Sequence, residues 1–230
     1  MDEPFNEDIK TGYRIKFVLI GDKNVGKTTL VNHYTNNKVI QEYQETTGIE
    51  TYKANAKIGE NDFIIKIIDT PSNKQFLNII KEEYKNAHYA LIVFDITNRE
   101  SFQSLNDWVN HCRLDQNQNM DLILIANKTD LNQNRVVNSE EITKFASDNN
   151  IKYYEISAYN KNEINNIFDN AITDLFNKID NDYDTLASTT LFGFNDSSEL
   201  TVNLTILKIL FRIRKCFDNS FYIIIFFNIN

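Results

Sequence analysis

Cysteine is scarce: the 230-residue chain has two, Cys112 and Cys216. That is too few for a disulfide framework, and the spacing suits no metal, so a reducing compartment is expected. Basic charge is also in deficit, with 24 Lys and Arg against 32 Asp and Glu and a net charge of −8. Such a surface repels phosphate backbones and argues against an extended nucleic-acid groove. No unbroken apolar run reaches the roughly 18 residues of a spanning helix. Residues 1–10 are mostly acidic and polar, so secretion is not indicated, and the sequons at Asn127, Asn195 and Asn203 carry no weight. His33, His88 and His111 lack ligand spacing and read as structural residues. No internal repeat is present.

What is there suffices for an ordinary core. Hydrophobic residues make up 42% and charged residues 24%, close to globular averages. The length fits one α/β domain with about fifty residues to spare. Short β-branched runs at 14–20, 49–58, 63–68, 90–96, 122–126 and 152–156 alternate with helical patterns at 26–36, 100–113, 139–149 and 162–179. That alternation predicts a mostly parallel six-stranded sheet with helices on both faces. The gap at 59–62 is of hairpin size, so the second and third runs are expected to pair antiparallel at the edge. Ser139 followed by Glu141 reads as a capped helix start. The connections 37–48 and 70–84 are long and polar, as functional or mobile loops are. The chain is thus read as an acidic extension (1–12), a main domain (13–179), a polar linker (180–199) and an apolar, basic tail (200–230).

Directly after the first strand stands Gly21-Asp22-Lys23-Asn24-Val25-Gly26-Lys27-Thr28. This is G-x-x-x-x-G-K-[ST] opening into a helix, both contexts that a phosphate loop requires. Its backbone N–H groups point inward at phosphate oxygens, with the positive end of a helix dipole behind them. Gly26 permits the close approach, Lys27 supplies a cation for the β- and γ-phosphates, and the Thr28 hydroxyl is a hard ligand for Mg²⁺. The loop alone leaves the base open, since ATPases and kinases use it too.

Roughly a hundred residues later, Asn127-Lys128-Thr129-Asp130 ends the fifth apolar strand, where open α/β sheets bind ligands. The Asp130 carboxylate can accept from the N1–H and N2–H₂ edge of guanine, whereas adenine turns a lone pair towards it. A site built on such hydrogen bonds rejects the analogue by roughly 10⁴ to 10⁵. Asn127 would hold the loop and the base, and the Lys128 stem would lie along the ring.

With these motifs the chain resembles the Ras superfamily of small GTPases and, within it, the Rab family, over about residues 13–178. Further resemblance lies in Thr46-Thr47-Gly48-Ile49, Ile68-Asp69-Thr70 and Glu155-Ile156-Ser157-Ala158. The Rab character comes from Leu91-Ile92-Val93-Phe94-Asp95-Ile96-Thr97, then Arg99-Glu100-Ser101-Phe102, with Trp108 on the next helix. The resemblance implies a P-loop NTPase fold binding GTP or GDP with Mg²⁺, and a timer switch in which the nucleotide orders two long loops. Gly21, Asp22, Lys23, Asn24, Val25, Gly26, Lys27, Thr28 and Thr29 would surround the phosphates, with Tyr43 folding over them. Thr46 would join Thr28 on the metal and touch the γ-phosphate, Asp69 would hold the ion through water, and Ser72 would lie beside the γ-phosphate. Asn127, Lys128, Asp130, Ser157, Ala158 and Tyr159 would surround the base. Lys27, Thr46 and Asn73 would be the catalytic set. Effectors, exchange factors and activating proteins are the implied partners. A cytoplasmic monomer, peripheral on membranes of the vesicle-trafficking system, is the implied setting.

Several positions depart from the family. Its Asp-Thr-Ala-Gly-Gln reads Asp69-Thr70-Pro71-Ser72-Asn73 here. The glycine lets a backbone N–H approach the γ-phosphate, whereas Ser72 has less conformational freedom and Pro71 fixes φ before it. Asn73 is one methylene shorter than the glutamine that orients water, and a misplacement of about 1 Å costs about 10²-fold, so slow hydrolysis is expected. Lys23 could compensate charge or crowd the water, while Asn24 tolerates φ > 0. Val39 stands where the family offers an aromatic edge to guanine, and Tyr159 replaces a lysine. Stacking of Tyr159 on the base would offset part of that loss. The prenylatable C-terminal cysteines are absent. Residues 200–215 combine apolar side chains with Lys208, Arg212, Arg214 and Lys215, compatible with an anionic membrane surface or with docking on the domain. The altered triplet leaves open a pseudo-GTPase acting as a scaffold, and Asp130 argues against an ATPase or kinase.

Overall fold

Val, Ile and aromatic side chains fit a pleated, half-buried surface, so the β-branched runs become strands. They are β1 (Tyr13–Ile20), β2 (Glu50–Ile58), β3 (Asn61–Asp69), β4 (Tyr89–Asp95), β5 (Asp121–Asn127) and β6 (Lys152–Glu155). The helices are α1 (Lys27–Asn36), α2 (Leu77–Tyr84), α3 (Arg99–Gln103), α4 (Leu105–Arg113), α5 (Ser139–Asp148) and α6 (Lys161–Thr190). This computed structural model describes residues 13–36, 46–59, 61–72, 76–113 and 120–190, without the side chains of 36 and 179–190. The chain divides into two compact units, Met1–Ala171 and Ile172–Asn230. The described part of the second is helix only.

The strands form one sheet in the order β2-β3-β1-β4-β5-β6. β1 runs parallel to β3 and β4, and β5 runs parallel to β4 and β6. Only β2 is antiparallel, closing on β3 with Ile58 opposite Asn61 and Gly59 at φ 61°. Burial follows position: every residue of β4 is buried, whereas edge strand β2 alternates half-buried with exposed. Val18, Ile20, Ile92 and Phe94 pack with Ile80 and Tyr84 of α2 and with Leu105, Trp108 and Val109 of α4 in one core cluster.

Local structure differs from the sequence reading in four places. Within 70–84, read as loop, residues 77–84 form α2. Its core-facing apolar residues, Leu77, Ile80 and Tyr84, stand at helical spacing but span only about two turns, a window shorter than the roughly 11 to 18 residues in which a period is read. The helix expected over 100–113 is divided at Ser104, after a first turn capped by the Asn98 side chain, which accepts from the backbone of Glu100 (3.0 Å) and Ser101 (3.4 Å). The cap of α5 is Asn138 rather than Ser139: its side chain accepts from Glu141 N at 2.8 Å, and Glu141 Oε2 accepts from Asn138 N at 3.2 Å, a full capping box. Finally, α6 continues through Thr190, so the first part of the segment read as linker is helical. No Gly or Pro between 161 and 190 stops it. The extension 1–12 and the segment 191–230, with its tail, lie outside the described residues. Among the described residues no helix is long and apolar enough to cross a membrane.

The turn leaving β1 is fixed by Gly21, at φ 139°, where an added Cβ would stand 2.1 Å from the backbone oxygen of Val93. Both atoms belong to the sheet framework, and neither can move cheaply. Gly21→Ala is therefore expected to destabilise the protein by about 3 to 5 kcal/mol, from backbone strain and overpacking together. Urea denaturation measures this directly, and a loss under about 1 kcal/mol would contradict the close packing of the turn on β4.

Candidate nucleotide site

Parallel pairing brings the carboxyl ends of the strands to one edge. Leu19 lies beside Asp69, Ile20 beside Ile92, Asp95 beside Asn127, and Ala126 beside Glu155. Because β1 sits inside the sheet with β3 on one side and β4 on the other, the chain reverses its winding there. Such a switch point leaves a crevice for a ligand.

The loop after β1 carries three backbone conformations with positive φ: Gly21, Asn24 at 63° and Gly26 at 98°. The side chains of Lys23 and Asn24 are exposed, Val25 is buried, and Thr28 and Thr29 are half-buried in the first turn of α1. Lys27 turns back over the loop, its Nζ donating to the carbonyls of Gly21 (2.7 Å) and Asp22 (2.9 Å). Burial pushes this ammonium down to about 8, against the raising pull of Asp69 and Asp22. A buried cation whose hydrogen bonds go to neutral carbonyls is under-compensated, and phosphate oxygens are the anionic acceptors that would stabilise its charge.

The Asp22 carboxylate points away from the loop towards α4. It accepts from the Ser104 hydroxyl and, at 2.8 Å, from the Trp108 indole N–H. Its role in the structure is to anchor the loop. Ser104 and Trp108 were not legible as partners of the loop, although Trp108 stood out as the lone tryptophan.

At the other side of Lys27 three oxygens meet. Thr28 Oγ1 donates to Asp69 Oδ2 and lies 3.0 Å from Thr46 Oγ1, which is 3.5 Å from the same carboxylate oxygen. Asp69 is fully buried, and its Oδ1 has no hydrogen-bond partner among the described residues. Burial pushes this carboxyl above the ordinary range, the Thr28 hydroxyl and Lys27 pull it down, Glu50 adds to the rise and Thr46 opposes it. An orphaned carboxylate oxygen beside two hydroxyls is a hard oxygen set that suits Mg²⁺ sharing its shell with phosphate. Among the described residues no three His, Cys, Asp or Glu side chains cluster as a metal site.

The base-side loops are joined to the phosphate loop through one side chain. Asn127, 1% exposed, donates from Nδ2 to Val25 O at 2.8 Å and accepts at Oδ1 from Ala158 N at 2.8 Å. Lys128 adopts the left-handed conformation (φ 72°), and its ammonium pairs with Asp95 Oδ2 at 2.7 Å, which pins the methylene stem. Asp95 is itself oriented by the N–H and hydroxyl of Thr97 at 2.8 and 2.7 Å. Asp130 is exposed, with Oδ1 accepting from Ser157 Oγ at 2.6 Å. Ser157 N donates to Glu163 Oε2 at 2.8 Å, and Tyr159 N donates to Ser157 Oγ at 3.2 Å. Asp95 and Glu163 were missed by sequence reasoning, since carboxylates are common and only their partners distinguish these two.

The structure thus gathers the residues of 21–29 with Thr46, Asp69, Asn127, Lys128, Asp130, Ser157, Ala158 and Tyr159 along one edge of the sheet. Ser72 is half-buried, following buried Thr70 and Pro71. Val39, Tyr43 and Asn73 lie outside the described residues.

A family model described as the Ras family matches residues 16–177. The chain is similar to Ras-related protein Rab-2B of Dictyostelium discoideum, 31% identical over 178 residues, covering 76% of this chain and 88% of that protein. It is 34% identical over 169 residues to GTP-binding protein ypt3 of Schizosaccharomyces pombe, covering 74% and 79%. Ras-related protein Rab-11C of Dictyostelium discoideum is 31% identical over 167 residues, covering 73% and 75%. With the sheet order, the phosphate loop and the base-side loops on one edge, the chain belongs to the Ras family and is a small GTPase of the Rab type.

Proposed function

We propose that this chain is a guanine-nucleotide switch of vesicle trafficking that binds GTP or GDP with Mg²⁺ and hydrolyses GTP slowly. The observation that carries the reading is Asn127, whose two hydrogen bonds join the phosphate loop at Val25 to the base-side loop at Ala158. One rigid amide thereby fixes the distance between a triphosphate grip and a purine-reading carboxylate. Lys27 exchanges its carbonyl partners for the β- and γ-phosphate oxygens, and the loop amides complete that anion cradle. Thr28, Thr46 and Asp69 hold Mg²⁺, which supplies charge neutralisation of the phosphates. Asp130 accepts from the guanine edge while Ser157 keeps its carboxylate oriented. Effectors, exchange factors and activating proteins read the loops around Thr46 and Ser72. The setting is the cytoplasmic side of intracellular membranes, with the 200–230 tail as a candidate membrane contact and the domain acting as a monomer.

The second reading is a scaffold that holds nucleotide without turnover. It is favoured by the altered triplet after Thr70: Pro71, buried, fixes φ directly before Ser72 where the family has glycine, which restrains a loop that hydrolysis requires to move.

Release of nucleotide from purified protein, identification of its base and a single-turnover phosphate assay test both. Guanine nucleotide with hydrolysis over minutes to hours is expected; ATP overturns the first reading, and intact GTP over many hours favours the second. Changing Ser72→Gly together with Asn73→Gln is expected to raise single-turnover hydrolysis by about 10²-fold, the scale of a 1 Å correction in water placement. Unchanged turnover would remove geometry as the cause of slowness.

A further inference from the structure

On the base side of the site Tyr159 is paired with a second ring, His33, to which the proposed function gives no role. Tyr159 is 54% exposed, although it directly follows buried Ser157 and Ala158. Its backbone N–H is tied to the Ser157 hydroxyl that orients Asp130, so its ring is carried by the element that positions the base-reading carboxylate. His33 meets that ring at a right angle: the centroids are 6.0 Å apart at an interplanar angle of 89°. His33 belongs to α1, the helix that opens with Lys27 and Thr28. It is 8% exposed, and neither ring nitrogen has a hydrogen-bond partner among the described residues.

Burying two unpartnered ring nitrogens costs stability, and an apolar ring would pack there without that cost. What His33 provides is a perpendicular ring contact to an aromatic left half in solvent. T-shaped contacts hold ring orientation as well as area. An exposed, oriented aromatic face beside a purine-reading carboxylate matches one chemistry, the flat face of the base.

From this we infer that His33 and Tyr159 form a two-ring shelf for the purine, with Tyr159 stacking on the base and His33 acting as the positioning residue that fixes the Tyr159 ring. The inference rests on the guanine-nucleotide reading. It assigns to this pair the packing that an upstream aromatic and a lysine supply elsewhere in the family.

The test is release of a fluorescent methylanthraniloyl GDP from full-length protein with Mg²⁺, chased with excess GDP. Tyr159→Ala is expected to speed release by about 10-fold or more, within the range of one base–aromatic stack. His33→Ala speeds it several-fold, the double variant releases no faster than Tyr159→Ala alone, and His33→Phe, which keeps a ring at that position, releases close to the wild-type rate. A thermal midpoint for His33→Phe no lower than wild type separates positioning from folding, because Phe removes the unpartnered nitrogens. Release unchanged in Tyr159→Ala, or effects that add in the double variant, overturn the shelf while leaving the nucleotide reading in place. A wild-type chain that takes the adenine analogue and not the guanine one overturns both.

Discussion

Asp130→Asn is expected to lower GTP affinity by about 10³-fold, because charge-assisted hydrogen bonds contribute about 1.5 to 3 kcal/mol each and the base edge makes two. The substituted amide still presents an oxygen to N1–H, but its NH₂ faces the guanine amino group, donor against donor. The same amide would complement a purine with a carbonyl at that carbon, so xanthosine triphosphate should recover much of the lost affinity. Direct titration of both nucleotides checks this, and equal loss for both would show that the residue acts by holding Ser157 rather than by reading the base. The Ser157 contact at 2.6 Å makes that control necessary. Ser157→Ala keeps the carboxylate and removes its orienting donor together with the acceptor of the Tyr159 N–H, so its effect should be the smaller of the two.

Gly26→Ala is expected to speed nucleotide release by about 10²-fold or more with the fold retained, through backbone strain on the order of 1 to 3 kcal/mol and the hydrogen bonds lost with it. Its φ of 98° disfavours any Cβ, and the added carbon would stand 2.3 Å from Asn127 Nδ2. A terminal amide on a flexible side chain could swing aside, but Asn127 is buried and bonded at both ends. Moving it breaks the tie to Val25 and the tie to Ala158 together. The phosphate and base loops would then lose their fixed separation, which neither loop can restore alone. Release of labelled GDP measures the effect, and circular dichroism confirms that the sheet persists. Release at the wild-type rate would mean that the Asn127 bridge does not govern retention.

Much of this architecture was legible in the chain. The β-branched runs, the hairpin glycine and the phosphate-loop string are local signals, set by propensity, turn chemistry and backbone conformation within a few residues. Residues 77–84 were not legible as a helix, since eight residues are too few to establish a period, and packing of Leu77, Ile80 and Tyr84 in the core stabilises them. The same limit hid the division at Ser104, whose hydroxyl is drawn to Asp22 across the fold.

The sequence alone determined which chemical groups are available: a glycine-bracketed loop, one lysine, two threonine hydroxyls, an aspartate after the third strand and an Asn-Lys-x-Asp string after the fifth. Only the tertiary structure decided what each group faces. The Asp22 carboxylate anchors the loop to α4, Asn127 bridges to a carbonyl 102 residues away, and His33 meets Tyr159. The reason is physical. A hydrogen-bond partner or a ring contact depends on where parallel strands and their crossovers place distant segments, and no pattern within a short window encodes that placement.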